Sequence, residues 1–167
     1  MFINIKDKLK NESPPQLYKF YNHVIVSEKC IMLNDALNSA MSLLLTSLTL
    51  LINKYMDISK HDYEHLYKLI FLMSEKQEWN QKTVVDRLFS TTEKIEPDNY
   101  INKIYQLFLS QTYNMDNYVL VISSLLSIFT EMILNEYKTN KICDIHFNSL
   151  LDNLIETDKA ILRKNGF

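Results

Sequence analysis

The stretch Asn117–Tyr137, NYVLVISSLLSIFTEMILNEY, decides how the rest of the chain is read. It carries no charge from Asn117 to Thr130, and Tyr118, Ile122, Leu125, Phe129, Met132 and Ile133 recur at helical spacing. Val121, Leu126 and Ile128 widen that stripe until little polar face is left. The pattern predicts a helix enclosed by others at the centre of a bundle. Ser123, Ser127 and Thr130 form a small polar ridge on it, where another helix can approach closely; the helix at 35–54 is the natural neighbour.

Working outward, the same economy of charge and glycine marks the whole chain. Its 167 residues fit one domain, and a domain of that size buries about 70% of the surface its unfolded form exposes. A net charge of −2, with scattered Lys and Arg, gives no basic face for DNA or RNA, so nucleic acid is not an expected partner. Gly166 is the single glycine, which excludes Walker-type and Rossmann phosphate loops because both need several. Turns must be made with Asn, Asp and Ser. Cys30 and Cys143 stand alone without C-x-x-C spacing and read as two reduced thiols, with a single disulfide as the alternative, and MFINIKDKLK has no apolar core of a leader. The expected compartment is the cytoplasm.

Upstream of the central stretch, residues 1–12 read as a short flexible segment ahead of one helical domain over 13–167. Ser13 and Pro14 supply an N-cap and a proline in the first turn, predicting a helix over Pro14–Val26, with a short strand at 23–26 as the alternative. Asn34 and Asp35 open a second helix whose residues 36–53 are uncharged. That length reaches the lower limit of a membrane span. Asn38, Ser39, Ser42, Thr46, Ser47 and Thr49 dilute it, however, and favour a buried core helix over membrane contact.

A third helix capped by Ser59 or Asp62 sets Tyr63, Leu66, Leu69, Ile70 and Met73 inward, leaves Glu64, Lys68, Glu75 and Lys76 solvated, and ends near Trp79. A fourth starts at Asn80, turns Val84, Val85, Leu88 and Phe89 inward, and is broken by the polar run 90–96. Pro97 belongs to the first turn of a fifth, which contains Tyr100, Ile101, Ile104, Tyr105, Leu107 and Phe108. Residues 114–117 join it to the central helix. Asp144 caps a last one with Phe147, Leu150, Leu151, Leu154, Ile155, Ile161 and Leu162 in period. The expected fold is all-α: a compact single-domain bundle of about seven helices around a buried central one.

Catalytic signals are sparse. His61, Glu64 and His65 form H-x-x-E-H, in which two histidines one helical turn apart can face zinc while the glutamate activates water. A third ligand would have to come from Glu131 or Glu136, and the solvated first turn of a helix is the plainer reading. His23 and His146 have no partner at a telling interval, and Asp57 with Asp62 or Glu93 with Glu96 lie in polar segments. No cofactor is expected. Aromatics exceed what a small core needs, and amphipathic rings favour binding surfaces. Tyr67, Ile70, Trp79, Leu88, Phe89 and Tyr105 are the residues expected to meet a partner.

The near-uncharged run TyrValLeuValIleSerSerLeuLeuSerIle at 118–128, then a polar turn, then the amphipathic LysIleCysAspIleHisPheAsnSerLeuLeuAspAsnLeuIle at 141–155, is similar in layout to the poxviral Bcl-2-like proteins. The resemblance covers about 75 residues of the C-terminal half. It lacks the AsnTrpGlyArg-type motif of groove-forming cell-death regulators: only Trp79 is followed by Asn80, with no glycine after it. It implies a groove bounded by the third to sixth helices and a viral inhibitor of host innate signalling or apoptosis. The function expected is therefore a non-enzymatic protein-binding module, acting through a groove or a helical face on a host signalling or cell-death protein or on a second copy of itself. A zinc-dependent hydrolase built on residues 61–65, and a bacterial immunity or antitoxin-like helical protein, are the alternatives.

Overall fold

The computed structural model describes residues 12–27, 34–56 and 63–139, and these form an all-helical bundle without strands among the described residues. Six helices follow one another: α1 (Pro14–Ser27), α2 (Asp35–Tyr55), α3 (Tyr63–Met73), α4 (Val84–Ile95), α5 (Tyr100–Thr112) and α6 (Met115–Thr139). They correspond to the first six of the seven expected helices. The seventh, at 144–162, lies outside the described residues, as do residues 1–11, Cys30, Cys143 and His61. The strand alternative at 23–26 is excluded, because those residues lie inside α1.

Five of the six helices begin on a polar side chain within the described residues. Gln16 accepts the backbone N–H of Ser13 at 2.9 Å, which is the return half of a capping box, while Pro14 and Pro15 occupy positions that have no intrahelical acceptor to satisfy. Asn34 accepts from Leu37 N at 2.9 Å to start α2. Thr83 and Asp86 make a full capping box on α4, Asn99 accepts from Asn102 N at 2.8 Å on α5, and Asn114 does the same for Asn117 N on α6. Between α4 and α5, Pro97 sits at the second position of a turn closed from Asn99 N to Glu96 O, with Asp98 at φ 61° in the third. That is a type II arrangement, so Pro97 ends α4 rather than opening α5.

The helix at the centre is α2, not α6. It packs most extensively against α1 and α5 and also meets α3 and α6. Ala40, Leu44, Leu48 and Leu51 are almost fully enclosed. Of the polar residues that dilute its sequence, Ser42, Thr46, Ser47 and Thr49 are enclosed too, and the first three satisfy their hydroxyls locally. Ser42 Oγ donates to Asn38 O, Thr46 Oγ1 to Ser42 O and Ser47 Oγ to Leu44 O, so burial leaves none of these groups without a partner. Two tyrosines of α1 hydrogen-bond to α2, Tyr18 with Ser39 at 3.0 Å and Tyr21 with Thr49 at 2.5 Å. By length and composition α2 could cross a membrane; 72% of its most apolar window is buried inside the bundle.

Three element boundaries shift from expectation. Helix α3 stops at Met73, and residues 74–83 form an irregular connection instead of carrying the helix on to Trp79. Helix α4 starts at Val84, not Asn80, and continues through Ser90–Ile95 because Thr92 is buried and its Oγ1 donates to Phe89 O at 2.8 Å. Helix α6 starts at Met115. Lys68 and Lys76, expected in solvent, are both buried. Helix α3 runs between α6, α4 and α2 and has little outward face to give Lys68, while Lys76 lies beyond its end in the connection and packs over Trp79 and Tyr118.

Candidate functional site

Two surfaces stand out, and the first is the outer face of α6. Val121, Ile122, Leu125, Ile128 and Phe129 point into the core, as the helical period requires. One turn apart on the opposite side, Asp116, Val119, Leu120, Ser123, Ser127 and Glu131 are exposed. Between Asp116 and Glu131 this outward stripe carries no charge, and it holds Val119 at 49% and Leu120 at 45% exposure. The hydroxyl of Ser123 donates back to Leu120 O at 3.2 Å, so it asks little of solvent. Ser123 and Ser127 therefore do not receive the 35–54 helix, as the sequence suggested. Thr130 faces α3 instead, donating to Leu126 O at 2.7 Å and to Tyr67 Oη at 3.4 Å.

The second surface is built by the connection 74–83 against α4, α5 and α6. A run of rings links the helices: Phe89 lies flat on Tyr105, with centroids 3.9 Å apart and planes 6° apart, Tyr105 meets Phe108 at 5.7 Å, Phe108 meets Tyr118 at 6.1 Å, and Tyr118 meets Trp79 edge-on at 6.3 Å. Tyr118 donates its hydroxyl to Met73 O at 3.0 Å and so helps to satisfy the last carbonyl of α3, which is buried. The ammonium of Lys76 lies over the Trp79 and Tyr118 rings, 5.1 and 4.9 Å from their centroids, where ring quadrupoles attract a cation.

Asp86 faces the same place. Its Oδ2 accepts from Thr83 N at 2.7 Å and Thr83 Oγ1 at 2.9 Å, and its Oδ1 accepts from Tyr105 Oη at 2.7 Å. Lys76 Nζ stands 4.0 Å from Oδ2, beyond hydrogen-bond reach. Burial, and secondly the negative charge of Asp86, push the phenols of Tyr105 and Tyr118 well above the ordinary tyrosine range. A cleft of about 310 Å³ opens onto this cluster, with Trp79, Lys82, Ser90 and Gln106 on its walls.

Of the six residues expected to meet a partner, Tyr67, Ile70, Phe89 and Tyr105 are buried, because the third to fifth helices turn those positions inward, and Tyr105 also lines the cleft. Leu88 is partly buried, and Trp79 is exposed at the rim of the cleft. In the H-x-x-E-H run, Glu64 is half-buried and His65 buried, while His61 lies outside the described residues. Among the described residues no three His, Cys, Asp or Glu side chains converge as a metal site would need. Lys76 was missed because periodicity carries no information about a residue beyond a helix end. The spacing of Thr83 and Asp86, three residues apart and flanking Val84 and Val85, was the available signal. Comparison with protein-family models, with characterised proteins and with solved structures finds no match for this chain.

Proposed function

We propose that this protein is a non-enzymatic binding module that presents the outward stripe of α6 to a protein partner. The observation that carries the reading is the exposure of Val119 and Leu120 on a stripe without charge from Asn117 to Thr130. An apolar helix face flanked by small side chains lets a second helix approach closely, with aliphatic anchors at its centre and charged residues, here Asp116 and Glu131, at its rim. A helical face fits better than a groove, since the cleft beside Trp79 is lined mainly by polar side chains. The layout shared with the poxviral Bcl-2-like proteins makes a host signalling or cell-death protein the partner to try first, with a second copy of the chain next.

A photo-crosslinking residue in place of Val119 tests this, with the same residue in place of the exposed Lys19 on α1 as control. In cells expressing the chain, Val119 should give a discrete adduct, to itself or to another protein, that Lys19 does not give. Equal or absent adducts at the two positions remove the reading.

A further inference from the structure

The side chain of Lys76 is only 6% exposed and lines the cleft, and its ammonium is held by the rings of Trp79 and Tyr118 and by a long ion pair to Asp86 Oδ2 at 4.0 Å, too far for a hydrogen bond. The two rings beside it supply electrostatic attraction but no lone pair. The carboxylate of Asp86 is drawn toward Thr83 and Tyr105, which supply three hydrogen bonds to its two oxygens. An ammonium has three donors and no acceptor. A buried ammonium whose ion pair is this long keeps the capacity to donate to an oxygen, and an anionic oxygen makes the shortest and strongest such bond.

Charge and size narrow the partner further. Lys76 and Asp86 cancel and Lys82 leaves the cleft with a net charge of about +1, so one negative charge is balanced there, whereas a dianion would be in excess and repelled by Asp86. Lys82 adds a second cation at the wall, Gln106 adds a carboxamide, and Trp79 adds a half-exposed flat ring. About 310 Å³ is at the small end of ligand pockets. We infer that the cleft between residues 76–82, α4 and α5 binds a carboxylate group, held by Lys76 and covered by Trp79. The bound group is either that of a small carboxylic acid or the terminal carboxylate of a polypeptide. This site is separate from the α6 stripe and does not depend on it.

Trp79 is the single tryptophan of the chain, so its emission reports the cleft directly. Titrating the full chain with sodium acetate at constant ionic strength should give a saturable change in that emission, which sodium chloride does not reproduce. Inorganic phosphate at a pH where it is doubly charged should bind more weakly than acetate. Lys76→Met should weaken the acetate response at least tenfold while far-UV circular dichroism stays unchanged, and Lys82→Gln should weaken it about twofold to fivefold. If Lys76→Met does not fold, Lys82→Gln and the salt comparison on the unaltered chain still decide. Trialanine with a free C-terminus binding about tenfold more tightly than acetate, with its amide inert, assigns a polypeptide end; acetate binding as well as trialanine assigns a small acid. A response equal for acetate and chloride, tighter binding of phosphate, or a folded Lys76→Met variant that keeps its response overturns the inference.

Discussion

Tyr105 donates its phenolic hydrogen to Asp86 at 2.7 Å while its ring lies stacked on Phe89, one helix away. The bond ties α5 to the capping box of α4, so one carboxylate serves both the start of a helix and its packing. Tyr105→Phe keeps the stack and removes the bond, and should cost about 1.5–3 kcal/mol in urea unfolding, the range for a buried bond to a charged group. The phenols of Tyr21, Tyr105 and Tyr118 are all raised above the ordinary value of 10.0, chiefly by burial. Above that value the unfolded chain releases tyrosine protons that the native chain retains, so native stability is complete below it and falls as pH climbs through it. In Tyr105→Phe that alkaline loss should be shallower. Equal slopes for the two proteins would show that Tyr105 does not carry it.

Two leucines five residues apart on α6 separate its inner and outer faces. Leu125 is fully buried and Leu120 is 45% exposed. Leu125→Ala should cost about 2–5 kcal/mol, the usual range for a cavity left in a packed core. Leu120→Ala should fall within about 0.5 kcal/mol of the unaltered chain. If both variants lose stability alike, α6 is enclosed on both faces and its outer stripe is not available to a partner.

That comparison also bears on what could be read from the residues. Helix interiors were legible because apolar spacing is imposed by packing, as at Leu66, Leu69, Ile70 and Met73 of α3. Which of two uncharged helices is central was not. The hydroxyls of Ser42, Thr46 and Ser47 look solvent-seeking on paper, yet they are buried by bonding to their own backbone. Val119 and Leu120 look like core residues and lie outside. Apolarity records what a side chain can bury, not what stands beside it. Helix ends suffered for a related reason: Trp79 invites extension of α3, but it packs edge-on against Tyr118 from a loop, and the polar Ser90–Ile95 continues α4 because Thr92 is buried. The cluster around Lys76 depends on three separate segments meeting, and no local pattern encodes that.

Across the bundle, Lys54 at the end of α2 makes a salt bridge to Glu96 at the end of α4, joined by Tyr55, whose hydroxyl donates to the same carboxylate oxygen at 3.4 Å. The hydrogen bond from Lys54 holds the Glu96 carboxyl below its ordinary value of 4.5. A depressed carboxyl contributes above its unfolded value and loses that contribution as pH falls through its folded one. Both side chains reach solvent, so the pair is screened and adds little to stability. Lys54→Ala should return Glu96 toward 4.5 in a carboxyl-detected NMR titration and leave the thermal midpoint at neutral pH unchanged within error. Raising the salt concentration should move Glu96 of the unaltered chain in the same direction. A Glu96 titration insensitive to both changes would mean that the bridge does not form in solution.

Tyr113 closes α5 in the left-handed region, at φ 35° and ψ −10°, with its N–H bonded to Leu109 O at 3.2 Å and its ring 68% exposed. Glycine or asparagine usually fills such a position, because a Cβ there crowds the following carbonyl and costs roughly 1–2 kcal/mol. A chain with one glycine in 167 residues has no glycine to place at this cap. Asn114 starts α6 immediately afterwards, so the reversal between α5 and α6 has no spare residue to relax the turn. Tyr113→Asn should therefore raise stability by up to about 1 kcal/mol in urea unfolding, without altering helix content. Tyr113→Val should lower it, since a β-branched side chain tolerates positive φ least. If both variants destabilise the chain equally, the exposed ring makes a contribution in solution that outweighs the backbone strain, and the aromatic residue is held at this cap by what it touches rather than in spite of its conformation.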